Sequence, residues 1–214
     1  MAKTLYSLML SEDVVREVDK LAHRMGVTRS GLINSILAEH VGFVTPERRI
    51  NDILSQIEQF MQPSRDLVPF LAPNAMSLSL KSALEYKYRP TVKYEVTLFQ
   101  GNEDPIGEIS VVFRTQSEAL LDSLNAFFRV WKQIEDVYFI PAGKHVDYAL
   151  YDGRFTRSIA APSHDADAET LAKVLAEYLE IFDSCMKRYI TGRAAADDLQ
   201  RWYSSFLAKN RLFI

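Results

Sequence analysis

Cysteine is almost missing. Cys185 stands alone among 214 residues, so no internal disulfide can form. It falls on the apolar face of a predicted helix, which makes it a buried, inert thiol rather than a nucleophile. No run of about 18 or more apolar residues occurs, so no membrane-spanning helix is expected. The apolar part of the first residues is short and runs into Glu12 and Asp13, unlike a signal peptide. A cytoplasmic protein that does not meet a membrane fits these absences. The histidines His23, His40, His145 and His164 lack metal-ligand spacing, and no pair shares a helix face with a cysteine. His164-Asp165-Ala166-Asp167 reads as a solvated loop. Gly-x-Ser-x-Gly, the P-loop and the dinucleotide fingerprint are absent, and Gly101 and Gly107 belong to a hairpin loop. No cofactor or metal is therefore expected, and nothing points to an enzyme. An excess of one charge is missing too. The net charge is −3, and the first 44 residues carry five cations against five acids. That is not the strongly basic footprint of a non-specific nucleic-acid binder, although a dimer can still gather its cations on one face.

The remaining composition, 48% hydrophobic and 25% charged, is that of an ordinary globular chain. The most informative stretch is residues 3–43. Lys3 to Leu10 alternates, with Thr4, Tyr6, Leu8 and Leu10 on one side and Lys3, Leu5, Ser7 and Met9 on the other, the period of a strand. Ser11 sits at an N-cap position, with Glu12 and Asp13 in the first turn where the helix dipole favours acid. Val14, Val18, Leu21, Ala22 and Met25 follow at helical spacing, and Gly26 is placed to end that helix left-handed. Thr28 caps a second helix with Leu32, Ile33, Ile36, Leu37 and Val41 on its buried face. A lone strand with two helices cannot bury itself. The simplest solution is two chains pairing Lys3–Leu10 antiparallel across a two-fold axis, with four helices beneath.

Leu8-x-Leu10-Ser11-Glu12 leading into Val14, Val18 and Leu21, followed by Gly26-x-Thr28-Arg29-Ser30-x-Leu32-Ile33, resembles the ribbon-helix-helix family of bacterial and phage DNA-binding proteins, the CopG/Arc/MetJ type. The resemblance covers about a fifth of the chain. It implies that the paired strands enter the major groove of double-stranded DNA, with outer-face side chains reading base edges. Those positions fall on Leu5, Ser7 and Met9, with Lys3 just before them. Only Ser7 among the three can hydrogen-bond to a base; Leu5 and Met9 can pack on thymine methyl groups. The resemblance further implies that Thr28, Arg29 and Ser30, around the free amides of the second helix, hold a backbone phosphate. The expected function is a DNA-binding regulator, a repressor, acting as a homodimer. The alternative is that the same fold serves as a dimerisation module in a protein-interaction, plasmid or phage accessory protein that does not read DNA, its apolar ribbon face covered by another segment or partner.

Thr45-Pro46 is a helix-start signal, and Ile50, Ile53, Leu54, Ile57, Phe60 and Met61 predict a third helix near 46–62. Its stripe suits core packing within the chain and a dimer seam about equally. Residues 63–75, with three prolines, read as a linker, and 76–88 as a short helix. Residues 92–98 and 108–114 predict a hairpin with a long loop. Thr115-x-x-Glu118 reads as a capping box opening a helix over 116–134, and Val137–Ile140 as a further strand. His145–Tyr151 and Arg154–Ile159 flank Asp152-Gly153, a strong hairpin signal. Helices over about 167–191 and from about 194 complete the chain. Tyr86, Tyr88, Arg89, Lys93 and Tyr94 form an aromatic-basic cluster that can stack bases but, at strand spacing, suits cross-strand packing better.

The expected architecture is thus α+β. Residues 1–44 form a ribbon-helix-helix unit, 45–75 a helix and proline-rich linker, and 76–214 an α+β domain of hairpins and helices that senses or assembles. Its partner would be a small effector, another protein or a second copy. An effector predicts a pocket between the hairpins and helix 116–134; assembly predicts an apolar patch.

Overall fold

A computed structural model of the chain describes residues 5–64, 66–71, 76–86, 89–101, 104–151, 153–162 and 166–210. It is mixed α+β. Helices α1 (Glu12–Met25), α2 (Arg29–His40) and α3 (Pro46–Met61) precede strands β1 (Leu67–Leu71), β2 (Ser77–Ala83), β3 (Thr91–Leu98) and β4 (Gly107–Phe113). Helix α4 (Glu118–Phe139), strands β5 (Tyr148–Tyr151) and β6 (Arg154–Ile159), and helices α5 (Ala168–Ile190) and α6 (Ala196–Lys209) follow. The strands form one antiparallel sheet in the order β1-β2-β3-β4-β6-β5.

The sheet buries one face. Leu78, Leu80, Val92, Tyr94, Val96, Ile109, Val111, Phe113, Phe155 and Ile159 alternate inward along their strands and are all buried. They meet α4 and α5. Phe182 of α5 is the hub, its ring packed against those of Tyr94, Phe127, Phe128, Trp131, Phe155 and Tyr178. Such contacts add about 0.5–1.5 kcal/mol per aromatic pair beyond burial. Cys185 is buried in this layer, and desolvation pushes its thiol up to about 12, as an inert structural cysteine requires.

Several sequence expectations are corrected. Residues 67–71, expected within a linker, are strand β1; it lies at the sheet edge, where Pro69 has a ladder neighbour on one side alone. Residues 77–83, expected as helix, are strand β2, because β1 and β3 flank them and Leu78, Leu80 and Ser82 face the core. Local helix propensity yields there to tertiary pairing. Val137–Phe139 is not a strand but the last turn of α4, whose stripe continues through Trp131, Ile134, Glu135 and Phe139. Helix α4 starts later than the Thr115 capping box suggested: Ser117 is its N-cap, accepting from the Leu120 amide at 3.4 Å, while Thr115 accepts from Ser117. The two expected hairpins are joined, because β4 pairs with β6. Helix α3 settles in the core of its own chain, packing on α5 and β1 with Ile50, Ile53, Leu54, Ile57 and Met61 buried.

Two polar networks lie inside this layer. The Tyr94 hydroxyl donates to Asp183 at 2.7 Å, and Lys187 pairs with the same carboxylate at 2.7 Å. Burial first, and Asp183 second, hold the Tyr94 phenol well above its usual pKa, so it remains the donor. Glu135 receives Arg157 Nε at 2.9 Å, the Tyr148 hydroxyl at 2.6 Å and the Tyr203 hydroxyl at 3.2 Å. Both members of the Glu135–Arg157 pair are fully buried, and the guanidinium also stacks over the rings of Phe139 and Tyr178. This pair ties α4 to β6. Removing one member would leave the other charge buried without its partner. Arg157→Met should therefore cost about 3–5 kcal/mol of stability, read as a lower urea midpoint by circular dichroism; a loss below about 1 kcal/mol, the size of an exposed pair, would contradict it.

Candidate nucleic-acid interface

The first forty residues stand in contrast to that layer. Helices α1 and α2 pack chiefly on each other. Of α1 only Ala22 is buried, and of α2 only Leu32 and Ala38, whereas α5 buries eleven residues. Residues 5–10 form neither helix nor paired strand within the chain. Leu5 is 96% exposed and Met9 fully so, and Leu8 and Leu10 are also exposed. Val14 on α1, Ile36 and Leu37 on α2, and Val41 just past its end are exposed as well. A shallow cleft of about 360 Å³ lies along α1, between Asp13, Val14, Glu17, Val18 and Leu21. Among the described residues, 5–10 neither pair within the single chain nor join the six-stranded sheet; Lys3 and Thr4 of the expected ribbon lie outside the described residues.

The helix boundaries nevertheless match the sequence signals. Gly26 has φ 64° and donates to the carbonyls of Ala22 and His23, so the left-handed stop at this turn is real. Ser11 occupies the α1 N-cap without a side-chain bond. Thr28 caps α2, its hydroxyl accepting from Gly31 at 3.1 Å.

Among the expected base-facing residues, Leu5, Ser7 and Met9 are all exposed, while Lys3 lies outside the described residues. Among the expected phosphate contacts, Thr28, Arg29 and Ser30 are brought together at the exposed start of α2. Arg29, however, is already engaged. Its Nε and one terminal nitrogen donate to the two carboxylate oxygens of Asp19 on α1, a two-pronged pair that ties the helices together. Asp19 is the residue that sequence reading missed. It lies about two turns before Gly26, and only the αα-hairpin geometry brings it opposite Arg29. A carboxylate received by both prongs of a guanidinium stands where a phosphate oxygen pair would.

Comparison with known proteins gives no further guide. No family model, curated protein or solved structure matches the chain. What the arrangement can do chemically therefore rests on its own residues.

The aromatic-basic cluster is dispersed. Tyr94 faces the core and Tyr86 is half-buried, whereas Lys93 and Arg89 are exposed; Tyr88 lies outside the described residues. Where an effector pocket was expected, an open cleft of about 480 Å³ lies between the end of β4, the β5–β6 turn and the start of α4, lined by Phe113, Arg114, Thr115, Gln116, Leu121 and Gly153. Among the described residues, no cluster of histidine, cysteine, aspartate and glutamate could hold a metal ion. His164 lies outside those residues. No helix of the described chain is long and apolar enough to cross a membrane.

If Asp19 occupies the place of a phosphate, releasing it should expose the cation. Asp19→Asn keeps the shape and removes the charge. It should tighten binding to a DNA duplex several-fold in fluorescence anisotropy at low salt, and an unchanged affinity would show that Arg29 is no phosphate contact.

Proposed function

We propose that this protein is a cytoplasmic DNA-binding regulator, a repressor, that dimerises through residues 3–43 as a ribbon-helix-helix unit. The observation that carries the reading is the uncovered apolar surface from Leu8 and Leu10 through Val14 to Ile36, Leu37 and Val41. So many exposed large apolar residues within one short unit suit an interface. A second copy supplies what the face lacks. Two 5–10 segments pair edge to edge, which satisfies their backbone groups, and the α1 and α2 stripes close into one core. The correctly placed stops and caps at Gly26 and Thr28 support this geometry.

In the dimer, Leu5, Ser7 and Met9 point away from the helices into the major groove, with Lys3 at the end of the ribbon. Thr28, Arg29 and Ser30 meet the backbone at its edge. Phosphate contacts set position, and the ribbon face sets sequence preference. With two of the three reading positions apolar, readout rests on Ser7 and on contacts with thymine methyl groups.

A second reading is favoured by the Asp19–Arg29 pair and by the apolar Leu5 and Met9: the fold serves dimerisation alone. Two experiments separate the readings. Leu10→Asp should turn a dimer into a monomer by light scattering while the sheet layer keeps its melting transition; a dimer that survives it refutes ribbon pairing. In the dimeric protein, Arg29→Ala should weaken binding to all DNA sequences about equally, and Ser7→Ala should change the ranking among sequences selected from a random pool. Retention of DNA unaffected by either substitution would leave dimerisation as the role of the unit.

A further inference from the structure

The six-stranded sheet has a second face. Helices α3, α4 and α5 pack on the side that carries Tyr94, Val111 and Phe155; the other side carries small hydroxyls, a few valines and charges. The register brings residues from distant parts of the chain into one transverse row on that side. Val68 opposes Lys81, Lys81 opposes Lys93, Lys93 opposes Val112, Val112 opposes Arg154, and Arg154 opposes Tyr151. Arg114, two residues beyond Val112, falls on the same side just past the end of β4. Lys81, Lys93, Arg114 and Arg154 are all exposed.

This concentration of cations is not a solvated accident of a basic chain, because the net charge is −3. Lys81 and Lys93 sit directly opposite each other on adjacent strands, an arrangement that costs stability. Among the described residues, neither Lys81 nor Arg114 has an acid partner. Lys93 has a long contact with Glu95 at 3.4 Å, and the exposed Arg154 donates its Nε to the Ser110 hydroxyl at 3.0 Å. Among the described residues, Glu95, and then Glu108 with Asp147, lie in the next two rows toward the other end of the strands. The face is therefore basic at one end and acidic at the other.

We infer that the basic end of the open sheet face is a second nucleic-acid contact, one that holds the phosphate backbone of a DNA duplex. With strands about 4.8 Å apart, the row from Lys81 on β2 to Arg154 on β6 spans about 14 Å. One strand of a duplex presents a phosphate about every 3.4 Å along its axis, so several fall within reach of this row. The hydroxyls of Ser79, Thr91 and Thr156 border the row and can donate to phosphate oxygens, as serine and threonine commonly do at such contacts. A single strand is disfavoured, because it needs aromatic platforms for its bases. Tyr151, at the edge of the row, is the exposed tyrosine there, and the central positions are Lys93 and Val112. Apart from Tyr151 at its edge, the row thus carries charge without an aromatic platform, which suits a backbone rather than bases. In a dimer the two sheets would add sequence-independent affinity to whatever the N-terminal unit supplies.

The test uses the full chain carrying Lys81→Gln, Lys93→Gln and Arg154→Gln together. All three are exposed, so the thermal transition should be unchanged or slightly raised by relief of the Lys81–Lys93 repulsion. Binding to a random-sequence DNA duplex is titrated across about 50–200 mM salt. Each lost phosphate contact removes about 0.9 from the log–log slope, so the triple variant should flatten it by about 2–3 per chain. The single strand of the same sequence, and vesicles of anionic lipid, serve as the other probes. An unchanged duplex slope overturns the inference, as does a loss confined to the single strand or to vesicles. Repeating the comparison in Arg29→Ala protein separates the two contacts. Flattening that persists there upholds the sheet contact even if the N-terminal reading fails, and flattening by Arg29→Ala alone refutes it.

Discussion

The first fifth of the chain is dominated by apolar surface that it does not cover itself. Leu8, Leu10, Val14, Ile36, Leu37 and Val41 remain 43–72% exposed, so roughly half of the about 1.5–3 kcal/mol that full burial of each side chain contributes is left unused. The sheet layer is packed differently, although Val68, Val137, Ile140 and Tyr151 are also exposed. Phe182 is closed in by six rings, and the sheet layer pairs even its buried charges. The chain packs α3 to α6 thoroughly yet leaves α1 and α2 almost coreless, and the proposed dimer would supply what they lack. The helix signals agree with this. Gly26 and Thr28 mark where α1 ends and α2 starts, so the hairpin is specified locally.

The sequence was most legible where local chemistry decides. Caps, stops and periodicity placed α1, α2, α3, α5 and the β5–β6 hairpin within a few residues, because each rests on side chains near in sequence. It was least legible where pairing decides. Ser77–Ala83 alternates and yet contains good helix formers; the ladder to β1 and β3 settles it, and no residue nearby announces that ladder. Leu67–Leu71 carries a proline that reads as a linker until the segment is seen to lie at a sheet edge. Val137–Phe139 is β-prone in isolation but continues a helical stripe that began at Leu120.

The candidate site divides the same way. Thr28, Arg29 and Ser30 were visible as a cluster because they are consecutive. Asp19 was not, because its position against Arg29 follows from how two helices cross rather than from spacing. The cations of the open sheet face are an extreme case. Lys81, Lys93 and Arg154 are separated by up to 73 positions, and only the strand order β2-β3-β4-β6 puts them in one row. Lys93 was noticed within an aromatic-basic cluster, but its companions there are not those the fold provides. Tyr94 turns inward to Asp183, and Lys81 comes alongside instead.

The two proposed contacts answer the same electrostatic difficulty. A chain of net charge −3, with five cations against five acids in its first 44 residues, has little long-range attraction for a polyanion. Arg29, held by Asp19, offers less still until that pair opens. A DNA-binding dimer of this composition needs cations gathered somewhere in one field, and the transverse row supplies them away from the acids of α1. The row also explains why Glu95 and Glu108 are tolerated on the same face. They lie toward the opposite end of the strands, where they would repel a backbone that strayed from the basic end and so fix which end of the sheet it meets. On this view the N-terminal unit supplies sequence preference, and the sheet supplies the charge that the unit lacks.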